Sequence, residues 1–400
     1  MALRMGRRVA IVGTGHSRFG VRLDVSIAEL AYESIKEAFD EAGIGLDDVD
    51  LVVVGNAGGW SSEPLPAIVV NEYSGLSGKA TLRVEAACST GSAAIKVARD
   101  AIASGDAEVA LVVGVEKMNE SPTPTVVEFI GRAGNYFWEF ENFGLTFPGY
   151  YALYATAYMF NYGATEEDFC QVAVKNHYYA SMNPKAQFQR RITVEDCMKS
   201  RYVAWPIKLY DSSPITDGSA AVILVSEDVA GEITDSPVWI EAIGASSDTS
   251  NLSKRQNFLG LDAARKAALQ AYKKAGLDPE GVVKQLDLAE VHDCFTIAEV
   301  MAYEDLGFAR RGEGVKLVRE GQTYIGGLIP VNLSGGLKAK GHPIGATGVS
   351  MAVEIARQLW GRVERGRQAP VKVGRGLAHN VGGTGHYAYV TLYSLSKPRG

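Results

Sequence analysis

Several classes of protein are excluded by what this sequence has little of. Its 400 residues hold only four cysteines, Cys88, Cys170, Cys197 and Cys294. None stand in a Cys-x-x-Cys spacing, so neither a disulfide framework nor a zinc knuckle is expected, and the thiols read as reduced, in a cytoplasmic protein. No apolar run approaches the roughly 18–20 residues of a membrane span. Behind the basic start Met1-Ala2-Leu3-Arg4-Met5-Gly6-Arg7-Arg8, the run Val9-Ala10-Ile11-Val12 is too short for a signal peptide and reads as a strand. Positive charge is not in excess. Forty Lys and Arg face 46 Asp and Glu, a net of −6, which offers no field for nucleic acid or an anionic membrane surface. Proline is scarce at 14 while glycine reaches 44, so the glycines are expected in tight turns rather than in disorder. Two phosphate-binding signatures are also missing. No Gly-x-x-x-x-Gly-Lys-Ser/Thr occurs, and Gly13-Thr14-Gly15 lacks the third glycine of a dinucleotide fingerprint.

What is present is an α/β alternation, run through twice. After the strand at 9–12 comes an amphipathic helix over 26–42, opened by Ser26 as N-cap and stopped by Gly43. The β-branched run at 49–54 is a buried strand. Residues 81–85 lead into Cys88 and a small-residue helix over 89–103, and 108–113 form the next strand. The second half repeats the order: strand 238–244, helix 261–275, strand 286–291, helix 346–360, then closing strands at 371–373 and 387–393. Both long helices end in an Ala-Gly pair, Ala42-Gly43 and Ala275-Gly276. Two βαβαβ halves in one chain are the simplest reading, with two unrelated α/β domains as the alternative. Between them, 119–205 is aromatic and polar, with helices expected at 150–161 and 166–182. So long an insertion is expected to serve as a lid or binding loop. Residues 215–226 read as a strand returning to the first sheet.

Three segments carry candidate chemistry. Cys88 lies between a strand and a helix start, where unpaired N–H groups and the positive end of the helix dipole favour a thiolate and can hold an oxyanion. A buried structural cysteine is the alternative. His292-Asp293-Cys294-Phe295 follows the C-terminal end of a buried strand, the edge where open α/β sheets build their sites. Cys294 reads equally as a small hydrophobe filling that edge. The third is the glycine-rich loop from Asn332 to Gly348, in which His342 stands before Pro343 near a helix start. It occupies in the second half the place of Cys88 in the first, so a pseudo-twofold axis brings the two together. The alternative is a phosphate-cradling loop with Lys338 and Lys340 as counter-charges. Gly376 to Gly385 reads as a turn after a strand, with His379 and His386 as polar turn residues. No metal is expected, because no acidic or Cys partners stand at ligand spacing to these histidines.

Over essentially its whole length the chain resembles the thiolase superfamily. Ala87-Cys88-Ser89-Thr90-Gly91 matches the nucleophile segment, Gly114-Val115-Glu116-Lys117-Met118 the following strand end, and Asn332 to Gly348 the Gly-His-Pro loop. His292-Asp293-Cys294-Phe295, Lys175-Asn176-His177, Asn183-Pro184, Gln187-Phe188 and Ser212-Ser213-Pro214-Ile215-Thr216-Asp217-Gly218 resemble the sterol-carrier-protein-type branch and its archaeal acetyl-CoA acetyltransferase members. The resemblance implies a five-layer αβαβα fold divided at 1–118, 119–205 (an inserted loop domain), 206–235 and 236–400. It implies a cytoplasmic acyltransferase that joins two acetyl-CoA into acetoacetyl-CoA for mevalonate synthesis, without a cofactor beyond the coenzyme A thioesters. Cys88 is then the nucleophile, His342 its base, and the N–H groups of Cys88 and Gly382 the oxyanion donors. The second acetyl-CoA docks with its thioester oxygen near His292 and His342, and Ser213 contacts the pantetheine arm. Most thiolases carry a second cysteine in a Cys-x-Gly motif, where this chain reads Asn380-Val381-Gly382, and the branch pattern hands that role to Cys294. Implied partners are a second copy, as homodimer or homotetramer, an OB-fold zinc-binding protein and 3-hydroxy-3-methylglutaryl-CoA synthase. Rival readings are a β-ketoacyl synthase-like enzyme, a steroid side-chain aldolase relative and a non-catalytic scaffold subunit.

Overall fold

The computed structural model describes residues 6–398, so residues 1–5 of the basic start lie outside the described residues. Sequence and packing agree closely in the first unit. Strand β1 (Val9–His16) runs into the Ile27–Ala42 helix, whose capping box pairs Ser26 and Glu29 reciprocally and whose end at Gly43 is left-handed. Then follow β2 (Leu51–Gly55), β3 (Ala80–Val84), the Thr90–Ser104 helix and β4 (Val109–Lys117). A small hairpin, β5 (Tyr202–Ala204) with β6 (Ile207–Lys208), precedes β7 (Asp217–Ser226). The second unit comprises β8 (Val238–Ser247), the Asp262–Ala275 helix, β9 (Leu288–Val291), the Thr347–Leu359 helix, β10 (Arg375–Gly382) and β11 (Tyr387–Ser394).

The strand order β3-β2-β4-β7-β1-β8-β11-β10-β9 makes the duplication explicit. Outward from the β1–β8 seam, where Ala10 faces Trp239, each half places an antiparallel strand and then parallel ones. Val331, bridging in parallel to Ala289, takes the place of β3. The Ile27–Ala42 helix covers one half-sheet and the Asp262–Ala275 helix the other, while the Thr90–Ser104 and Thr347–Leu359 helices pack on each other between them. Layers therefore run α, β, α, β, α. The central pair meets through glycine: a Cβ on Gly91 would stand 2.6 Å from Val349 N, and one on Gly348 would stand 2.3 Å from Ser92 N. This close approach brings the two helix starts, and the residues before them, to one point.

The aromatic stretch between β4 and β7 forms the Phe147–Tyr162 and Glu166–Ala180 helices. Tyr150, Tyr151, Tyr154 and Tyr158 of the first are fully buried in the main core.

Three expectations are corrected. Residues 371–373 form no strand, because the Asp287 carboxylate accepts from the N–H groups of Lys372, Val373, Gly374 and Arg375, taking the donors a ladder would use. The strand begins instead at Arg375 and takes in Gly376 to Gly382 of the run read as a turn, so His379 is a buried strand residue, while residues 383–386 form a turn that holds His386. Cys170 and Cys197 are joined in a disulfide rather than reduced: the Glu166–Ala180 and Val194–Met198 helices bring their Cα atoms to 5.6 Å, a proximity that 27 residues of separation conceals. Among the described residues no helix is long and apolar enough to cross a membrane.

Candidate active site

Cys88 follows Ala87, a non-glycine residue at φ 49°, which turns the chain sharply between β3 and the Thr90–Ser104 helix. The thiol is buried in an apolar cluster with Trp60, Met118, Val126 and Ile344. Burial pushes its pKa up to about 12, opposed by the N–H of Gly383, which reaches the sulfur. An ordinary resting thiol is therefore protonated and needs a base at the moment of reaction.

That base stands beside it. Cys88, His292 and His342 each bring one sulfur or ring nitrogen within 4.8 Å of the others. The His292 and His342 rings lie 5.2 Å apart, edge to face. Hydrogen bonds assign the two rings opposite tautomers. Thr347 Oγ1 donates to Pro343 O at 3.1 Å, so it accepts from His342 Nδ1–H at 2.7 Å and leaves His342 Nε2 with a free lone pair. Asn380 Nδ2 donates to the carbonyl of Cys88 at 3.0 Å, which fixes its amide, since a carbonyl oxygen can only accept. The same Nδ2 lies 3.2 Å from His292 Nδ1, which must then accept, so the proton of His292 sits on Nε2. Both Nε2 atoms are buried without a partner among the described residues. Burial brings His342 to about 3 and takes His292 well below the usual imidazole range, with His342 adding to the effect, so both rings are neutral at pH 7. One ring is thus an acceptor and the other a donor. Cys88, His292 and His342 offer the donor types of a metal site, but the proton on His292 Nε2 suits an oxyanion rather than a cation.

Cys294 is placed in the same cleft. A cavity of about 130 Å³ is lined by Cys88, Cys294, His342, Ser213, Phe147 and Ile344, among others. Ser213 N donates to Cys294 O at 2.9 Å. The Cys294 thiol is driven well above its ordinary value by burial and by Cys88, against a hydrogen bond from Tyr151. Gly382 lies on β10, where a Cβ would stand 2.5 Å from Ala86 O and 2.8 Å from Ser89 Oγ, one residue before the N–H that reaches Cys88.

Buried carboxylates hold these segments. Glu116, wholly buried, accepts from Asn56 Nδ2, Trp60 Nε1 and the N–H groups of Ala57, Gly58 and Gly345, clamping the His342 loop to the end of β4. Asp293 accepts from Leu337 N, Lys338 N and Asn176 Nδ2. Lys338 and Lys340 are themselves buried beneath the loop rather than presented to a phosphate. Thr347 and Tyr151 carry no motif of their own. Only the placement of Thr347 five residues after His342, in a helical first turn, hints at its contact.

Comparison with known proteins places the chain in a family. Residues 9–228 match the family described as Thiolase, N-terminal domain, and residues 244–395 match Thiolase C-terminal domain-like. The chain is 42% identical over 390 residues to an acetyl-CoA acetyltransferase of Methanothermobacter thermautotrophicus, covering 97% of this chain and 100% of that one. It is 40% identical to the acetyl-CoA acetyltransferase of Methanocaldococcus jannaschii, covering 98% and 100%. Sterol carrier protein 2 of Gallus gallus is 33% identical, covering 98% of this chain and 73% of that protein. Among solved structures, the Ltp2-ChsH2(DUF35) aldolase superposes with a TM-score of 0.83 at 28% identity, covering 98% and 99%. Human mitochondrial 3-ketoacyl-CoA thiolase, at 19% identity and a TM-score of 0.71 over 97% and 99%, shares the fold. Matched in both its halves and along nearly all of its length, the chain belongs to the thiolase family of acyltransferases.

Proposed function

We propose that this protein is an acetyl-CoA acetyltransferase that condenses two acetyl-CoA into acetoacetyl-CoA and CoA, reversibly, through an acetyl-Cys88 intermediate. The observation that carries this reading is the complementary pair of imidazoles around one thiol. His342 Nε2 removes the Cys88 proton, and the thiolate attacks the first thioester carbonyl. The N–H groups of Cys88 and Gly382, with that of Gly383 beside them, hold the oxyanion. Collapse expels CoA thiolate, which leaves with the proton from His342. The second acetyl-CoA sets its thioester oxygen on His292 Nε2–H, His342 Nε2, free again, takes the proton of the Cys294 thiol, and the Cys294 thiolate takes a proton from the methyl group. The resulting carbanion attacks the acetyl carbonyl, the carbon–sulfur bond to Cys88 breaks, the released Cys88 thiolate recovers a proton from His342, and acetoacetyl-CoA is formed. Ser213 lines the path of the pantetheine arm. Val127, Ile130, Phe147 and Pro148, all within 119–205, line the same cleft, which supports that stretch as the substrate cover. The exposed edge strand β3 supports assembly with a second copy. The aldolase neighbour, solved with a DUF35 protein, supports an OB-fold partner here as well.

Mixing the protein with acetoacetyl-CoA, quenching in acid and mapping peptides should find an acetyl group on the Cys88 peptide. Intact substrate with no adduct would overturn the reading. Cys294→Ala should leave that adduct in place while slowing condensation by about a hundredfold or more, the usual contribution of a positioned proton-transfer group. Normal condensation by this variant would remove Cys294 from the mechanism.

A further inference from the structure

Two cavities share Cys88 as part of their walls. One is the cleft that also holds His342, Cys294 and Ser213. The other encloses about 110 Å³ and has only Cys88, Ile130, Phe147 and Ile344 in common with the first. No proton-moving group besides the Cys88 thiol lines it, and Trp60 and Phe129 make its remaining walls largely apolar. Trp60 is held in place: it is buried with Cys88 and Ile344, and its Nε1 donates to Glu116 at 2.9 Å. Phe129, on the Thr123–Arg132 helix, is 37% exposed and lies against the facing loop, where a Cβ on Gly59 would stand 3.6 Å from its ring. Ala133, directly after that helix, is exposed and lines the same cavity, so it marks the outer end. Apart from the thiol, the one ionisable side chain in the lining is the exposed Glu85, whose carboxylate accepts from the N–H of Ala87. A space that borders the nucleophile, leaves out the acid–base groups and is walled mostly by apolar side chains suits the part of a substrate that does not react.

Resting on the reading of Cys88 as the acylated nucleophile, we propose that this chamber receives the alkyl chain of acyl groups longer than acetyl, with Trp60 as its fixed wall and Phe129 as the residue that sets the longest chain. The substrates it adds to acetoacetyl-CoA are 3-ketoacyl-CoA thioesters with an uncharged, apolar tail. In the cleaving direction, His342 takes the proton of Cys88, and the thiolate adds to the 3-keto carbon. The bond between C2 and C3 breaks, and its electron pair stays with the acetyl-CoA fragment, which takes a proton from Cys294. Cys294 recovers from His342 the proton that Cys88 gave up, and the acyl chain remains on Cys88 in the chamber. CoA then attacks that thioester and leaves as acyl-CoA, its thiol proton passing to Cys88. Each methylene moved from water into such a wall is worth about fourfold in binding. A terminal carboxylate would instead lose its water without gaining a partner.

Thiolysis by the full-length protein should be compared for acetoacetyl-, 3-ketohexanoyl- and 3-ketoadipyl-CoA, with acid quenching and mapping of the Cys88 peptide. 3-Ketohexanoyl-CoA should leave a butyryl group on Cys88 and reach a kcat/KM at least equal to that of acetoacetyl-CoA. A lower value, with acetyl still transferred from acetoacetyl-CoA, overturns the proposal. No adduct from either substrate overturns instead the reading of Cys88 as nucleophile. 3-Ketoadipyl-CoA has the same length but a carboxylate end, and should fall below 3-ketohexanoyl-CoA by about tenfold or more; a smaller gap is contrary. Phe129→Ala should raise the ratio of kcat/KM for 3-ketodecanoyl- over acetoacetyl-CoA by about tenfold or more. Ala133→Trp, at the outer end, should lower the ratio for 3-ketohexanoyl-CoA by a similar factor. Each ratio is taken within one variant, so a loss of folded protein imitates neither result. An unmoved ratio in Phe129→Ala overturns the role of Phe129, and one in Ala133→Trp overturns the path of the chain through this chamber.

Discussion

Cys88→Ala should abolish the acetyl-enzyme and lower condensation by at least ten-thousandfold, in line with losses of about 10⁴ to 10⁶ when the nucleophile of a catalytic set is removed. His342 Nε2 would then face no ionisable proton, and the proton on His292 Nε2 leaves that ring no lone pair toward the substrate. His342 gives its Nδ1–H to Thr347, and His292 is held by Asn380 as a donor. The substitution should leave the fold alone. Asn380 bonds to the backbone carbonyl of Cys88, not to its side chain, and the Ala86 to Thr90 turn is closed by Ser89, Thr90 and backbone groups. Thermal melts should therefore shift by only a few degrees while CoA release vanishes. Residual condensation above about one per cent of the parent would show a route that bypasses the acyl-enzyme, as in a synthase-like or aldolase-like mechanism.

The site was legible in the sequence to the extent that local chemistry fixed it. Cys88 and His342 each stand at the start of a central helix, and the two Ala-Gly helix stops, Ala42-Gly43 and Ala275-Gly276, exposed the repeat that brings them together. What stayed hidden depended on partners distant in the chain. Val371 to Val373 has the composition of a strand, yet a carboxylate 85 residues away captures Lys372 and its neighbours. The Cys170–Cys197 disulfide follows from how two helices pack, which no spacing rule encodes. The roles of the two imidazoles depend on Thr347 and Asn380, the second 88 residues from the ring it orients. Tyr151 was one of many tyrosines in an aromatic stretch until the fold laid its ring on Phe295. Helix caps and apolar periodicity are local and can be read; proton positions arise from tertiary contacts and cannot.

Acid should unfold this protein at an unusually high pH, for the same reason that its imidazoles are useful. The sequence has six histidines, and all six are buried: His16, His177, His292, His342, His379 and His386. Burial holds His177, His342 and His379 at about 3, with Lys338 contributing at His177. Burial also lowers His16, His292 and His386, aided by Lys340, His342 and Arg255 respectively. An unfolded chain binds a proton at each of these positions near pH 6.5, whereas the folded protein refuses it. Below about pH 6.5 the unfolded state therefore holds more protons, and stability falls as pH falls toward 3, by about 1.4 kcal/mol per pH unit for each such histidine. Asp293 and Asp305 act in the opposite sense. Burial holds them up at about 7 and about 6, so the folded state binds their protons more tightly and regains stability over part of the same range. Glu116, Asp211 and Glu290, also raised by burial, act in the same sense as the two aspartates and offset part of the histidine effect. Denaturant melts followed by circular dichroism should show stability falling below pH 6. A stability unchanged from pH 7 to pH 5 would mean that these rings accept protons inside the fold. His342 would then spend part of its time as a cation, with no lone pair for the proton of Cys88, and the basis for its role as base would fail along with the stability argument.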